Sequence, residues 1–128
     1  MNYLVYLLVT ITLSLSSTLF IPFSEIETAF HSADSAKIME LSKSKLIINL
    51  DGKEGVYSQS QGNQVLKTFF KTNPPKSFAY TFKGTEKKLG SYALGIYSST
   101  NSSSFKVSLK FLKEGDLYKI ESLTINKE

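Results

Sequence analysis

The C-terminal half of the chain falls into segments in which every second residue is apolar. Phe78, Tyr80 and Phe82 alternate, and Gly84 breaks the run. Tyr92, Leu94 and Ile96 alternate next, before a polar loop over Ser98–Ser104. Phe105, Val107, Leu109 and Phe111 follow, with Lys106, Ser108 and Lys110 between them. Glu114-Gly115-Asp116 reads as a hairpin turn, and a last segment carries Tyr118 and Ile120, then Leu123 and Ile125. A period of two calls for strands. Connections this short call for an antiparallel meander of four. The apolar parity switches near Ser122, which predicts a bulge or a change of face.

Most segments before Phe78 repeat with a helical period. Ser24 and Glu27 have the spacing of a capping box, just after Pro22 and Phe23. Ile26, Ala29 and Phe30 then share one helical face. A break follows at His31–Asp34, and Asp34 can cap a second short helix that turns Ile38 and Leu41 inward. Lys45–Leu50 alternates as a strand, with Leu46, Ile48 and Leu50 on one face and Ile47 and Asn49 on the other. Asp51-Gly52 marks a turn. Glu54-Gly55-Val56-Tyr57 leads to Ser58, which forms a second capping box with Gln61. The helix behind it places Val65, Leu66, Phe69 and Phe70 together. It ends at Asn73-Pro74-Pro75, where the residue before proline leaves the helical region and proline cannot donate. The order is helix, helix, strand, helix, then four strands. Helices on one face of a curved antiparallel sheet make an α+β domain.

Residues 3–15 are an apolar run of signal-peptide length, followed by small residues at Ser14, Ser16, Ser17 and Thr18. We read residues 1–18 as a cleaved signal, with cleavage after Ser16 or after Thr18, and residues 19–128 as one domain. No Lys or Arg stands near the start, as one normally would. The competing readings are an uncleaved anchor and a buried N-terminal strand. The run falls short of the roughly 20 residues a span needs, and its second half is rich in Ser and Thr. The expected location is periplasmic or extracellular, with membrane contact only through the leader.

Composition excludes several chemistries. The chain has no Cys, so it lacks disulfides, thiolate metal sites, a cysteine nucleophile and an acylated lipoprotein cysteine. Its net charge is +4, but every basic residue is Lys, scattered among acids. Without Arg, the preferred residue for bidentate phosphate and base-edge contacts, nucleic acid is not an expected partner. His31 is the one histidine and suits a helix C-terminus rather than a zinc site. Asp51 and Glu54 flank Gly52. They could form an acid–base pair, but they read first as a solvated turn, and they lack the spacing of a calcium loop. No nucleophile elbow and no phosphate-binding glycine loop occurs. We therefore expect no catalytic residues, no metal and no cofactor.

Glu54-Gly55-Val56-Tyr57-Ser58, then Gln61, Leu66, Phe69-Phe70 and Asn73-Pro74-Pro75-Lys76-Ser77-Phe78 resemble the core pattern of the domain-of-unknown-function family numbered 4783. Gly90-Ser91-Tyr92-Ala93-Leu94-Gly95 and Phe105-Lys106-Val107 are similar to it too. The resemblance runs from about Glu25 to Ile125. It implies the cone-shaped nuclear-transport-factor-2-like (NTF2-like) fold and export in a Gram-negative bacterium, and it carries no established activity. One departure is Gly62, early in the third helix, where Gly costs about 1 kcal/mol relative to Ala.

A cone of this type often holds a cavity between its long helix and the sheet, suited to a small ligand. Tyr57, Phe69, Phe70, Phe78, Tyr80, Phe82, Tyr92, Phe105 and Phe111 should converge there, filling the cone or lining it. The expected lining residues are Tyr57, Phe70, Tyr80 and Tyr92. The reading is thus an exported non-catalytic domain that binds a small apolar or amphipathic ligand, or a protein partner, through its cone. The alternatives are an enzyme with a Tyr/carboxylate site in the cavity, or an interaction domain that dimerises through the open sheet face. N-terminal sequencing of the exported protein tests the leader: we expect a start at Ser17 or Leu19, and a start at Met1 would sink the cleaved-signal reading.

Overall fold

The computed structural model describes residues 21–86 and 90–128; the leader lies outside them. Helix α1 spans Phe23–His31 and α2 spans Ser35–Glu40. Strands β1 (Ser42–Leu50) and β2 (Lys53–Ser58) precede the long helix α3, Gln59–Thr72. The chain ends in β3 (Pro75–Glu86), β4 (Gly90–Ser99), β5 (Ser104–Glu114) and β6 (Leu117–Lys127). The six strands form one curved sheet in the order β2-β1-β6-β5-β4-β3. All neighbours are antiparallel except β1 and β6, which run parallel.

The helix order and the four-strand meander follow the pattern read from the sequence. The structure adds β2. Asp51 and Gly52 both have positive φ, 49° and 87°, as the two-residue type I′ turn requires. Leu50 therefore pairs directly with Lys53, and the strand continues to Ser58. Asn49 Oδ1 accepts from the Gly52 N–H at 2.9 Å and closes the turn.

Two of the three expected caps form. Asp34 accepts from the Lys37 N–H, and Ser58 with Gln61 makes a complete capping box. The Ser24 cap does not form, because α1 starts earlier, at Phe23, with Pro22 as its N-cap and no side-chain cap bond. Phe23 is drawn into the first turn by its packing: its ring meets Tyr80 and Phe111 edge-on at 5.5 and 5.6 Å. Ser24 thus lies inside the helix, and its carbonyl accepts from the Thr28 hydroxyl.

Two bulges set which side chains face the helices. Lys110 pairs with Ser122 but Phe111 pairs with Ile120, so Glu121 is an extra residue on β6. This is the expected parity switch, and it buries Ile120, Leu123 and Ile125 alike. The second bulge lies on β3, where Tyr80 pairs with Gly95 and Phe82 with Leu94, leaving Thr81 extra. Beyond it Phe82 points away from the helices, and Lys83 points toward them.

The core sits between the three helices and the inner sheet face. Its centre is Tyr97, fully buried and ringed by Phe30, Phe69, Phe70 and Phe105 at centroid distances of 5.5–6.2 Å. Its phenol donates to the Asn73 carbonyl at 2.5 Å. The last carbonyls of a helix have no partner within it, and the segment that follows α3 contains two prolines. The sheet supplies the donors: Tyr97 to Asn73, the Ser99 hydroxyl and Thr100 N–H to Pro74, and the Asn101 amide to Thr72.

Gly62 is explained by packing. It is buried on α3, and a Cβ there would come within 2.5 Å of the Met39 sulfur and 3.2 Å of Ile48 Cδ1. The helix propensity given up lets α3 approach α2 and β1. We expect Gly62→Val to destabilise the fold by about 1–3 kcal/mol through overpacking, read as a lowered urea midpoint with an unchanged slope.

Tyr97 gives a second expectation. Burial pushes its phenol up to about 12 from an ordinary value of 10.0. A phenol that keeps its proton longer when folded contributes stability that is complete below pH 10 and lost as pH rises through about 12. Tyr97→Phe should cost about 1–3 kcal/mol at neutral pH by leaving the Asn73 carbonyl without its donor. In urea titrations the variant should also lose less stability than the parent as pH is raised from about 9 to about 11.5.

Candidate functional site

The structure separates the aromatic residues that the sequence brings together. Phe70 is in the core, edge-on to Phe30 at 5.9 Å. Tyr80 faces the helices from β3, its ring 5.0 Å from Phe78 and its hydroxyl donating to the Phe23 carbonyl at 2.8 Å. Burial raises its phenol pKa, and the nearby Glu27 carboxylate adds to the rise. The Lys83 ammonium sits over the rings of Tyr80 and Phe23 at 4.9 and 5.0 Å, a cation–π arrangement. Tyr57 lies on β2, at the opposite edge of the sheet from β3, half-buried with its ring folded over Gly55.

Tyr92 does not face the cone at all. On β4 the residues turned inward are Ser91, Ala93, Gly95, Tyr97 and Ser99, so Tyr92, Leu94 and Ile96 project from the outer face. The apolar alternation of this strand marks its outer side. Phe82, turned out by the bulge, stacks on Tyr92 at 5.4 Å. The convergence expected of Phe82 and Tyr92 is therefore corrected, and the four residues read as cavity lining do not share a site.

Among the described residues, aromatic rings fill the inside of the cone. Phe30 stacks on Phe78 at 4.6 Å and 14°, and Phe69 packs edge-on to Phe105 at 5.0 Å. Gly95 makes room for this, since a Cβ there would meet the Phe78 ring at 2.9 Å.

One open space lies at the mouth of the cone. A cleft of about 620 Å³ runs between α3 and the ends of β1, β5 and β6. Leu50, Val65, Phe69 and Phe105 supply its apolar surface. Gln64, Thr68 and Thr72, one turn apart along α3, form one polar wall. Asp51 and Lys127 stand on the other, joined by a bond from the Lys127 N–H to Asp51 Oδ1 at 2.6 Å. Val65 packs partly buried against the core and also lines this cleft. The spacing of Gln64, Thr68 and Thr72 beside the apolar stripe of α3 was the available signal. The meeting of Asp51 with Lys127 depends on the parallel β1–β6 pairing and had none.

The remaining candidates stand apart. His31 is exposed at the last turn of α1. Asp51 is bound into the sheet end, while Glu54 lies exposed on β2 opposite Asn49, so the two form no shared site. Among the described residues no three His, Asp or Glu side chains gather as a metal ion would need.

The sequence profile of a domain of unknown function, DUF4783, matches residues 23–126. The chain belongs to this family. A DUF4783 family protein from Bacteroides ovatus has 21% identity and a TM-score of 0.75 over 81% of this chain and 93% of its own. One from Bacteroides uniformis has 19% identity and a TM-score of 0.77, covering 85% and 98%. An NTF2-like protein of unknown function from Shewanella baltica aligns with a TM-score of 0.65 at 15% identity, covering 83% and 87%. No protein with a curated description matches. The fold of this DUF4783 chain is the NTF2-like cone.

Proposed function

We propose that this DUF4783 chain is an exported, non-catalytic binding domain that takes a small amphipathic ligand at the mouth of its cone. The observation that carries the reading is the cleft. Its volume of about 620 Å³ is within the range of about 300–1,000 Å³ typical of small-molecule sites. Its make-up, apolar side chains beside hydroxyl and amide groups, suits a ligand with an apolar body and polar edges. The non-catalytic reading rests on the use already made of the two buried phenols. The Tyr80 and Tyr97 phenols are bound to backbone carbonyls with their protons held more firmly, which suits a structural role better than proton transfer at neutral pH.

Thr68 offers a clean test. It is exposed, and its hydroxyl bonds only to its own helix. Native mass spectrometry of the protein purified from its own host should show a retained small ligand. Thr68→Trp, which fills the cleft, should remove that ligand while shifting the urea midpoint little. A bare parent protein, or a ligand that persists in the variant, overturns the reading.

A further inference from the structure

The polar wall of the mouth cleft is periodic. Gln64, Thr68 and Thr72 follow one another at single turns of α3, so they repeat about every 6 Å and span about 12 Å of the helix. The Thr68 hydroxyl donates to the Gln64 carbonyl at 3.1 Å, which leaves its oxygen to accept. The Gln64 amide can both donate and accept. On the facing wall, Asp51 accepts from the Lys127 N–H through Oδ1 and keeps its second oxygen as an acceptor. Among the described residues neither Asp51 nor the Lys127 ammonium joins an ion pair. The floor is periodic too. Val65 and Phe69 stand one turn apart, and Leu50 and Phe105 flank them from the strand ends.

We infer that the occupant of this cleft is a short peptide in extended conformation, apolar at alternate residues. The inference rests on the cleft being the ligand site proposed above, and it names the ligand's class. An extended chain rises about 3.4 Å per residue, so the N–H and C=O groups along one edge repeat about every 6.8 Å. That is within about 1 Å of the repeat along α3. The opposite edge carries the same groups, and there Asp51 supplies an acceptor and Lys127 a donor. Side chains leave an extended chain alternately to its two faces. The first and third residues therefore fall on one side, spaced to rest on Val65 and Phe69, while the second faces water.

Main-chain bonds joined to apolar contacts at alternate side chains are the general pattern of extended-peptide recognition. An acyl chain would cover the floor, but its one polar end would leave most of the row on α3 without a partner. A saccharide would satisfy the row but has no side chains to place on Val65 and Phe69.

Titration of the isotope-labelled chain with acetyl-Leu-Ser-Leu-amide, followed by amide chemical shifts, tests the inference. We expect saturable shifts at Gln64, Thr68, Phe105 and Lys127, with a dissociation constant below about 1 mM. Acetyl-Ser-Leu-Ser-amide, which has one leucine for the floor instead of two, should bind at least about tenfold more weakly. Methylation of the peptide nitrogens should weaken binding by a similar factor, about tenfold. Thr68→Val should weaken it about three- to tenfold, and Thr68→Ser should bind as the parent does. Decanoate, titrated in parallel, separates this inference from the reading beneath it. Cleft shifts with decanoate but not with the peptide overturn the peptide and leave an amphipathic ligand standing. Peptide shifts outside the cleft, or binding indifferent to nitrogen methylation, also overturn the inference. Silence with both probes overturns it as well, and silence joined to a bare protein from the host removes both readings.

Discussion

The hydrogen bond from Tyr97 to the Asn73 carbonyl joins the two layers of the molecule. A phenol in the middle of an aromatic core is tolerable only if its hydroxyl finds a partner. A helix end that runs into two prolines is tolerable only if something else donates to its carbonyls. Each need meets the other. Ser99, the last residue of the same strand, and Thr100 and Asn101 just past it extend the arrangement to Pro74 and Thr72. The long helix is thereby pinned at its C-terminal end by β4 and the loop after it. At its N-terminal end it is capped by Ser58 and Gln61. The mouth cleft lies along the helix between those two fixed points, so its polar wall is carried by a rigid element.

Filling the cone has a consequence for where recognition can occur. The Phe30–Phe78 stack, Phe69, Phe70 and Tyr97 occupy the volume that a deep pocket would use. A domain of this length has little apolar surface to spare, and leaving that volume empty would forfeit the packing that stabilises it. Among the described residues, open surface remains at the rim of the cone and on the back of the sheet. The bulge at Thr81 serves the second of these. By adding one residue to β3 it turns Phe82 outward and Lys83 inward. The Lys83 ammonium then rests on the Phe23 and Tyr80 rings rather than in an apolar core.

Much of the fold was legible because its signals are local. The Ser58–Gln61 box, the Asp34 cap, the Asn73-Pro74-Pro75 stop and the alternation over Phe105–Phe111 each involve neighbours in sequence, and each formed. The parity switch near Ser122 was legible for the same reason. The short strand β2 was half-visible: Asp51-Gly52 is a strong hairpin signal, but Lys53–Ser58 has few apolar residues at a spacing of two. The Ser24 cap failed because long-range packing of Phe23 outweighed a local hydrogen bond. Gly62 looked like a defect until Met39 and Ile48, distant in sequence, were seen against it.

The candidate site was harder to read, and β4 shows why. Periodicity reports that one face of a strand is apolar; it does not report which way that face points. On β4 the inward positions are Ser91, Ala93, Gly95, Tyr97 and Ser99, mostly small because the Phe78 ring and the helices press close. The larger Tyr92, Leu94 and Ile96 were left to the outside. That distribution leaves Leu94 exposed on the outer face. What is gained lies on the inner one, where Ala93 and Gly95 let the Phe78 ring close on the sheet. The alternation that misdirects a reading of the cone is thus the outward side of close packing within it.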